Sequence, residues 1–329
     1  MATSTKSRRK PSAAQVEARK EKAAALHATL ETQVQALASS EQWANYLTFA
    51  QSFHRYSFRN SLLILAQRPT ATQVAGYAQW QEKGRQVIAG AQSIAIYGFA
   101  QKRVTEEDKE TGEKTERKQT YFPIRRVFDI SETVPITEDM IEDIRKGTER
   151  RRGNPKAKVW TGDHEPVRLP EGEDEHDVVR RTAEHIESLG WTFHQEQITD
   201  GSDGYTMQDG SKRVAIREDM SGAAKAKTAL HELAHLLLHS DPATGERCSD
   251  GPDSRAVREL EAEATAYVVA GVLGLDTSDY SVGYLTGWSG GDHEAVAATA
   301  ERVLKTADTI LDAVFPDTAD NNDDEQEQE

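Results

Sequence analysis

The segment His231-Glu232-Leu233-Ala234-His235 sets two imidazoles four residues apart, with a carboxylate directly after the first. On a helix, positions four apart stand one turn above each other, about 6 Å along the axis, so both rings can reach one metal ion from the same side. Glu232 then sits beside the ion's bound water. The chemistry is metal-assisted hydrolysis: zinc lowers the pKa of its water, and the glutamate takes a proton and later returns it. His239 extends the series to i+8. It lies about 12 Å along the axis from His231, too far to share the ion with both others, so a place at the helix C-terminus or behind a ligand suits it better.

Such a site needs a third protein ligand, the fourth position being left to water. The stretch Arg258-Glu259-Leu260-Glu261-Ala262-Glu263-Ala264 supplies three carboxylates. Glu259 and Glu263 share a helix side, whereas Glu261 points about 200° away from Glu259. Glu259 is expected as the ligand and Glu263 as the carboxylate that holds a histidine N–H. A one-step shift in register would select Glu261 instead. Two imidazoles and a carboxylate suit Zn2+ best.

These residues need a scaffold. Leu230, Leu233, Ala234, Leu237 and Leu238 give the histidine segment a buried face, which predicts a helix over about 222–239, followed by helices over 254–273 and 292–313. Upstream, Asp177–Leu189 reads as an amphipathic helix ended by Gly190. Trp191–Gln197, Gly204–Gln208 and Arg213–Ile216 read as three short strands, the last two joined by a turn at Asp209–Gly210. The second half is therefore expected to be mostly helical with a short antiparallel sheet. Beyond the ligand helix, a shorter segment lies near Val282–Trp288, and Tyr280, Tyr284 and His293 are candidates to stabilise an oxyanion. Cys248, in a Gly/Asp-rich loop between the two ligand helices, has no catalytic role on this reading.

The first half differs in character. Alanine-rich helical spacing runs over 12–39, then helices are expected at Glu41–Phe53, Ser57–Ala66 and Gly76–Lys83, and strands at Ser93–Phe99 and Thr120–Ile130. Lys102–Lys118, with six basic and six acidic residues, reads as an exposed hairpin extension or a loop without structure. The net charge of −15 is unevenly spread: residues 1–22 carry +5, residues 41–135 carry +3, and residues 136–329 carry −22. An acidic surface repels phosphate, so any nucleic-acid contact belongs to the first half. The longest apolar run, near Leu62–Ala66, is far shorter than the roughly 18 residues a membrane helix needs. The basic N-terminus has no apolar segment behind it, and a single cysteine excludes an internal disulfide or a multi-cysteine metal site. A cytoplasmic protein without membrane contact is expected.

Two family resemblances add to these readings. His231–His239 together with Glu259-x-x-Ala262-Glu263 resembles the ImmA/IrrE-type gluzincin metallopeptidases, and the segment Asp276–Trp288 resembles one common in members carried by mobile elements. That resemblance implies zinc on His231, His235 and Glu259, Glu232 as general base, and a protein substrate such as a repressor or defence factor. It also implies that an edge strand before the histidine helix, here Arg213–Ile216, receives the substrate by β-augmentation. Tyr56–Leu63, Gln67-Arg68-Pro69, Val74–Tyr77, Trp80, Gly84-Arg85, Ile94–Ile96 and Val127–Ile130 resemble the N-terminal domain of ArdC antirestriction proteins. That resemblance implies single-stranded DNA as a partner; Arg55, Arg59, Asn60, Arg68, Trp80 and Arg85 are the candidate contacts, read from their own chemistry. Arg125 and Arg126 are further cations for phosphate, while Tyr56, Tyr77, Trp80 and Tyr97 are either stacking rings or core. The expected organisation is α+β: a basic tail and helix over 1–39, a small α/β DNA-binding domain over 40–135, a linker over 136–174, a zincin-like metallopeptidase domain over 175–314 and an acidic tail over 315–329. Two functions compete: a DNA-linked zinc endopeptidase of antirestriction or mobile-element regulatory type, or a non-proteolytic strand-binding antirestriction protein whose zinc site is structural.

Overall fold

A computed structural model describes residues 13–37, 39–107, 114–148, 151–161, 175–248, 254–275 and 292–316. Three helices open the chain: α1 (Ala13–Ala36), α2 (Ser40–Phe53) and α3 (Phe58–Gln67). Serines start the second and third: the Ser39 hydroxyl accepts from the Gln42 amide and that of Ser57 from the Asn60 amide, each satisfying one orphan donor of the first turn. Next come β1 (Val74–Gly76), α4 (Tyr77–Glu82), β2 (Arg85–Val87), β3 (Ile94–Tyr97), β4 (Ala100–Glu107), β5 (Lys114–Tyr121), β6 (Ile124–Asp129), a 3-10 turn at Ile130–Glu132 and β7 (Thr133–Pro135). The sheet order is β1-β6-β3, antiparallel throughout, and β2 pairs with β7.

The charged segment after β3 is a hairpin. The register from Ile94↔Val127 to Tyr97↔Ile124 runs without a slip into Ala100↔Tyr121 and on to Glu107↔Lys114, with the Gly98 amide donating to the Pro123 carbonyl in between. One long two-stranded arm therefore grows out of the small sheet. Then follow α5 (Glu138–Lys146) and the short pair β8 (Gly147–Thr148) and β9 (Arg151–Arg152).

The remainder comprises α6 (Glu175–Ser188), β10 (Thr192–Glu196), β11 (Gly204–Thr206), β12 (Arg213–Arg217), α7 (Gly222–His239), α8 (Arg255–Val272) and α9 (His293–Val314). The fold as a whole is α+β. Its second sheet is mixed, not antiparallel: β10 runs parallel to β12, and β11 runs antiparallel to it, in the order β10-β12-β11. Arg213–Arg217 is thus the central strand and not an edge, which corrects the expectation that it receives substrate. Its Val214, Ala215 and Ile216 are all buried, so both faces of the strand are covered.

The largest apolar cluster unites Leu26, Leu30, Trp43, Leu47 and Leu62 of the first three helices with Val178, Leu233, Val268 and Leu304 of α6 to α9. Helix α2 crosses α8 closely enough that a Cβ on Gly271 would meet the end of the Gln51 side chain at 2.1 Å, so a larger residue there would have to turn that side chain aside. The Thr48 and Tyr267 hydroxyls hydrogen-bond across the same seam at 2.8 Å.

Candidate metal centre

Helix α7 carries the histidines because its alanines and leucines propagate a helix, and Ser221 caps it by accepting from the Ala224 amide. Its apolar face packs on α8, so Glu259 and Glu263 on α8 look across at the rings. The His231 Nε2 and His235 Nε2 atoms are 3.0 Å apart, and Glu259 Oε2 lies 3.3 Å from the latter and 3.5 Å from the former. A tetrahedral ion with bonds near 2.1 Å separates its donors by about 3.4 Å, so the three atoms converge as such an ion requires. Among the described residues no other group of His, Cys, Asp and Glu side chains converges in this way.

The surroundings hold each ring. His231 turns Nδ1 toward Glu263 Oε2 at 3.2 Å, close enough to pair but poorly aligned as a hydrogen bond; Lys227 stands 3.3 Å from the same carboxylate's other oxygen. Behind His235, Nδ1 meets His239 Nδ1 at 3.1 Å, and His239 Nε2 reaches Glu261 Oε2 at 3.0 Å. The Arg302 Nε of α9 donates to the other Glu261 oxygen at 2.9 Å. One tautomer set satisfies this chain: His235 donates from Nδ1, neutral His239 accepts there and donates from Nε2, and Glu261 accepts. Glu261, fully buried, thus faces away from the donor cluster, while Glu259 and Glu263 face it.

Glu232 is buried, and its Oε2 accepts from the Thr206 hydroxyl of β11 at 2.8 Å. Gly204 on the same strand leaves room for it: a Cβ there would stand 3.0 Å from Glu232 Oε1 and closer still to Thr228. Burial raises the Glu232 carboxyl to about 7, only partly opposed by His231 and Thr206. Burial works against a charge on His231, yet contacts with Glu259 and Glu263 win and push it up to about 9. His235 moves down because burial outweighs its share of Glu259. Glu259 is held well below the usual carboxylate range by its hydrogen bonds to the two histidines. A cleft of about 520 Å³ opens onto these groups, lined also by Tyr205, Gln208, Lys227, Arg255 and Arg258.

Tyr280, Tyr284 and the segment Val282–Trp288 lie outside the described residues, and so does the side chain of His293. The residues expected to touch DNA scatter. Arg55 forms an ion pair with Asp312 of α9, and Arg68 donates to Glu132 at 2.6 Å. Asn60 spends its amide on the backbone of Tyr97, donating to the carbonyl at 2.8 Å and accepting from the N–H at 2.9 Å; Gln67 does the same for Ala95. Trp80 is buried, its indole N–H donating to the Phe128 carbonyl at 2.8 Å. Arg85 donates to the Thr133 hydroxyl at 2.7 Å and stacks on Trp160. Tyr56 is core, its hydroxyl bound to the Val74 carbonyl. Of the six, Arg59 alone is exposed. Sequence reasoning did not single out Thr206, Arg302, Phe99, Tyr121 or Phe122; a threonine in a short strand and an arginine on a distant helix carry no local mark of what they will meet.

Residues 17–128 match the family model of the N-terminal domain of anti-restriction factor ArdC, and residues 187–282 match that of the IrrE N-terminal-like domain. The chain joins these two domains. It is 25% identical over 302 residues to an uncharacterized protein of Bacillus anthracis, covering 84% of this chain and 48% of the other. It thus spans about half the length of that curated relative. Crystal structures of the antirestriction ArdC protein from plasmid R388 are similar in part. The metal-free form shows 18% identity and a TM-score of 0.46 over 79% of this chain and 86% of that one. The Mn(II)-bound form shows 17% identity and 0.44 over 79% and 85%. No helix among the described residues is long and apolar enough to cross a membrane.

Proposed function

We propose that the chain is a zinc-dependent endopeptidase whose first domain binds single-stranded DNA, acting as an antirestriction or mobile-element regulatory protein on a repressor or defence factor. The observation that carries the enzymatic reading is the convergence of His231, His235 and Glu259 beside a buried Glu232. His231, His235 and Glu259 would hold the ion; when bound it supplies an acidified water and polarises a carbonyl. Glu232, buried beside these donors, would take a proton from that water and return it to the leaving amine. Thr206 fixes the direction in which Glu232 points. Strand β11 is the edge next to the cleft, so an extended substrate can pair with Gly204–Thr206 and lie across Glu232. Single-stranded DNA binding is carried by the match of residues 17–128 to the ArdC N-terminal domain.

The test is metal content and proteolysis of the full chain beside Glu232→Gln and His235→Ala. The proposal expects one ion per chain in the wild type and in Glu232→Gln, little in His235→Ala, and new protein termini in a host extract only with the wild type. An antirestriction effect that survives Glu232→Gln undiminished would leave the metal a structural role, the reading in which the protein acts by covering the strand.

A further inference from the structure

The long arm carries the most exposed large apolar side chains described: Phe99 is 61% exposed, Phe122 64% and Tyr121 45%. Phe99 and Phe122 meet edge to face at 6.2 Å between centroids, side by side where β3–β6 passes into β4–β5. The unbroken register sorts the arm's side chains by face, since alternate residues share one. One face presents Arg126 opposite Ala95, then Tyr97 and Ile124, then Phe99 and Phe122, then Gln101 and Thr120, then Arg103 and Lys118. Residues 94–103 and 118–127 contain five cations (Lys102, Arg103, Lys118, Arg125 and Arg126) and no acid, in a chain of net charge −15. All five are exposed.

Two bare rings cost hydration, and nothing in the described chain covers them. Their π-faces, set between cations on the same face, match the chemistry of unpaired nucleobases on a phosphate backbone. A duplex keeps its base faces inside its own stack and cannot use them. We propose that the Phe99/Phe122 face of this arm is the single-strand platform of the protein, with bases on the two rings and phosphates along Arg103, Lys118 and Arg126. This rests on the reading of the first domain as a strand binder and moves its binding surface away from Arg55, Asn60, Arg68, Trp80 and Arg85, which are spent on the fold.

The test uses the full chain and a fluorescent oligothymidylate of twenty nucleotides, read by anisotropy, with a duplex of equal length as competitor. Phe99→Leu with Phe122→Leu keeps apolar bulk but removes the rings; affinity is expected to fall about tenfold or more, while Phe99→Trp with Phe122→Trp preserves it. Arg103→Ala with Lys118→Ala is expected to reduce the slope of log affinity against log salt by roughly 1.4, about 0.7 per lost phosphate contact. Metal content and melting temperature stay unchanged in all of these. Wild-type binding that the leucine pair does not weaken would overturn the platform and leave the strand-binding reading standing. No binding by the wild type would overturn both. Leucine variants that bind DNA normally but lose self-association would make the face a protein contact instead.

Discussion

At the residue scale, the site is built from groups held away from their ordinary protonation. Glu232 has a folded-state pKa near 7, against 4.5 for a free glutamic acid, because burial disfavours its charge. In metal-free protein, folding therefore favours the protonated form. Below pH 4.5 this costs nothing; as pH rises through 7 the fold loses stability, by an amount on the order of 3 kcal/mol. Metal-free Glu232→Gln is expected to be more stable than the wild type at pH 8 by a few kcal/mol and equal to it at pH 4, measured by urea unfolding. Equal stability at both pH values would mean that water reaches the carboxylate freely. His231 has the opposite charge and the same direction of shift. Raised to about 9 by Glu259 and Glu263 against its burial, it carries a proton at pH 7.5 that a metal must displace. Calorimetry of metal uptake in buffers of different ionisation enthalpy should count about one released proton per ion at pH 7.5, declining above pH 9, and fewer at pH 7.5 in Glu263→Gln. Metal uptake without proton release would refute that picture of His231.

At the scale of elements, α7 and α8 form the site, and α9 supports it through Arg302, Glu261 and His239. If that chain orients His235, then His239→Ala or Glu261→Gln should weaken metal binding about 10- to 100-fold. His239→Gln, whose amide can accept from His235 and donate onward, should recover part of it. Equal losses in both His239 variants would point to packing alone. The two ligand helices are legible in the sequence because a 3.6-residue period, a capping serine and a four-residue spacing are all local signals. The central position of β12 is not legible in the same way: the apolar run Val214-Ala215-Ile216 marks a strand covered on both faces, but which strands pair with its two edges is decided only when β10 and β11 are in place. The surroundings of the residues expected to touch DNA are not legible either. Arg55 answers Asp312 and Arg68 answers Glu132, partners far along the chain, and an arginine's identity does not reveal which acid it will meet. Asn60 and Gln67 are spent at the outer edge of β3, standing in for a neighbouring strand, a role that exists only once the sheet is in place.

At the scale of the whole molecule, the first three helices and the metal helices share one apolar interior. Leu47 of α2 is fully buried in the same cluster as Leu233 of α7 and Val268 of α8. The His54 ring meets Asp308 of α9 at 2.7 Å beside the Arg55–Asp312 pair, so polar contacts reinforce the same seam. An arrangement of this kind couples the stability of the candidate metal site to a helix that carries none of its three donors. Leu47→Ala leaves every ligand untouched and is expected to cost about 2–5 kcal/mol, the range for a buried leucine that leaves a partly collapsed cavity. Because the interior is continuous, the loss should appear in one cooperative transition. Helical signal and metal release, followed together on heating, should shift downward by the same interval. Two separated transitions in the variant, with the metal retained through the first, would show instead that α6 to α9 hold their site without α2.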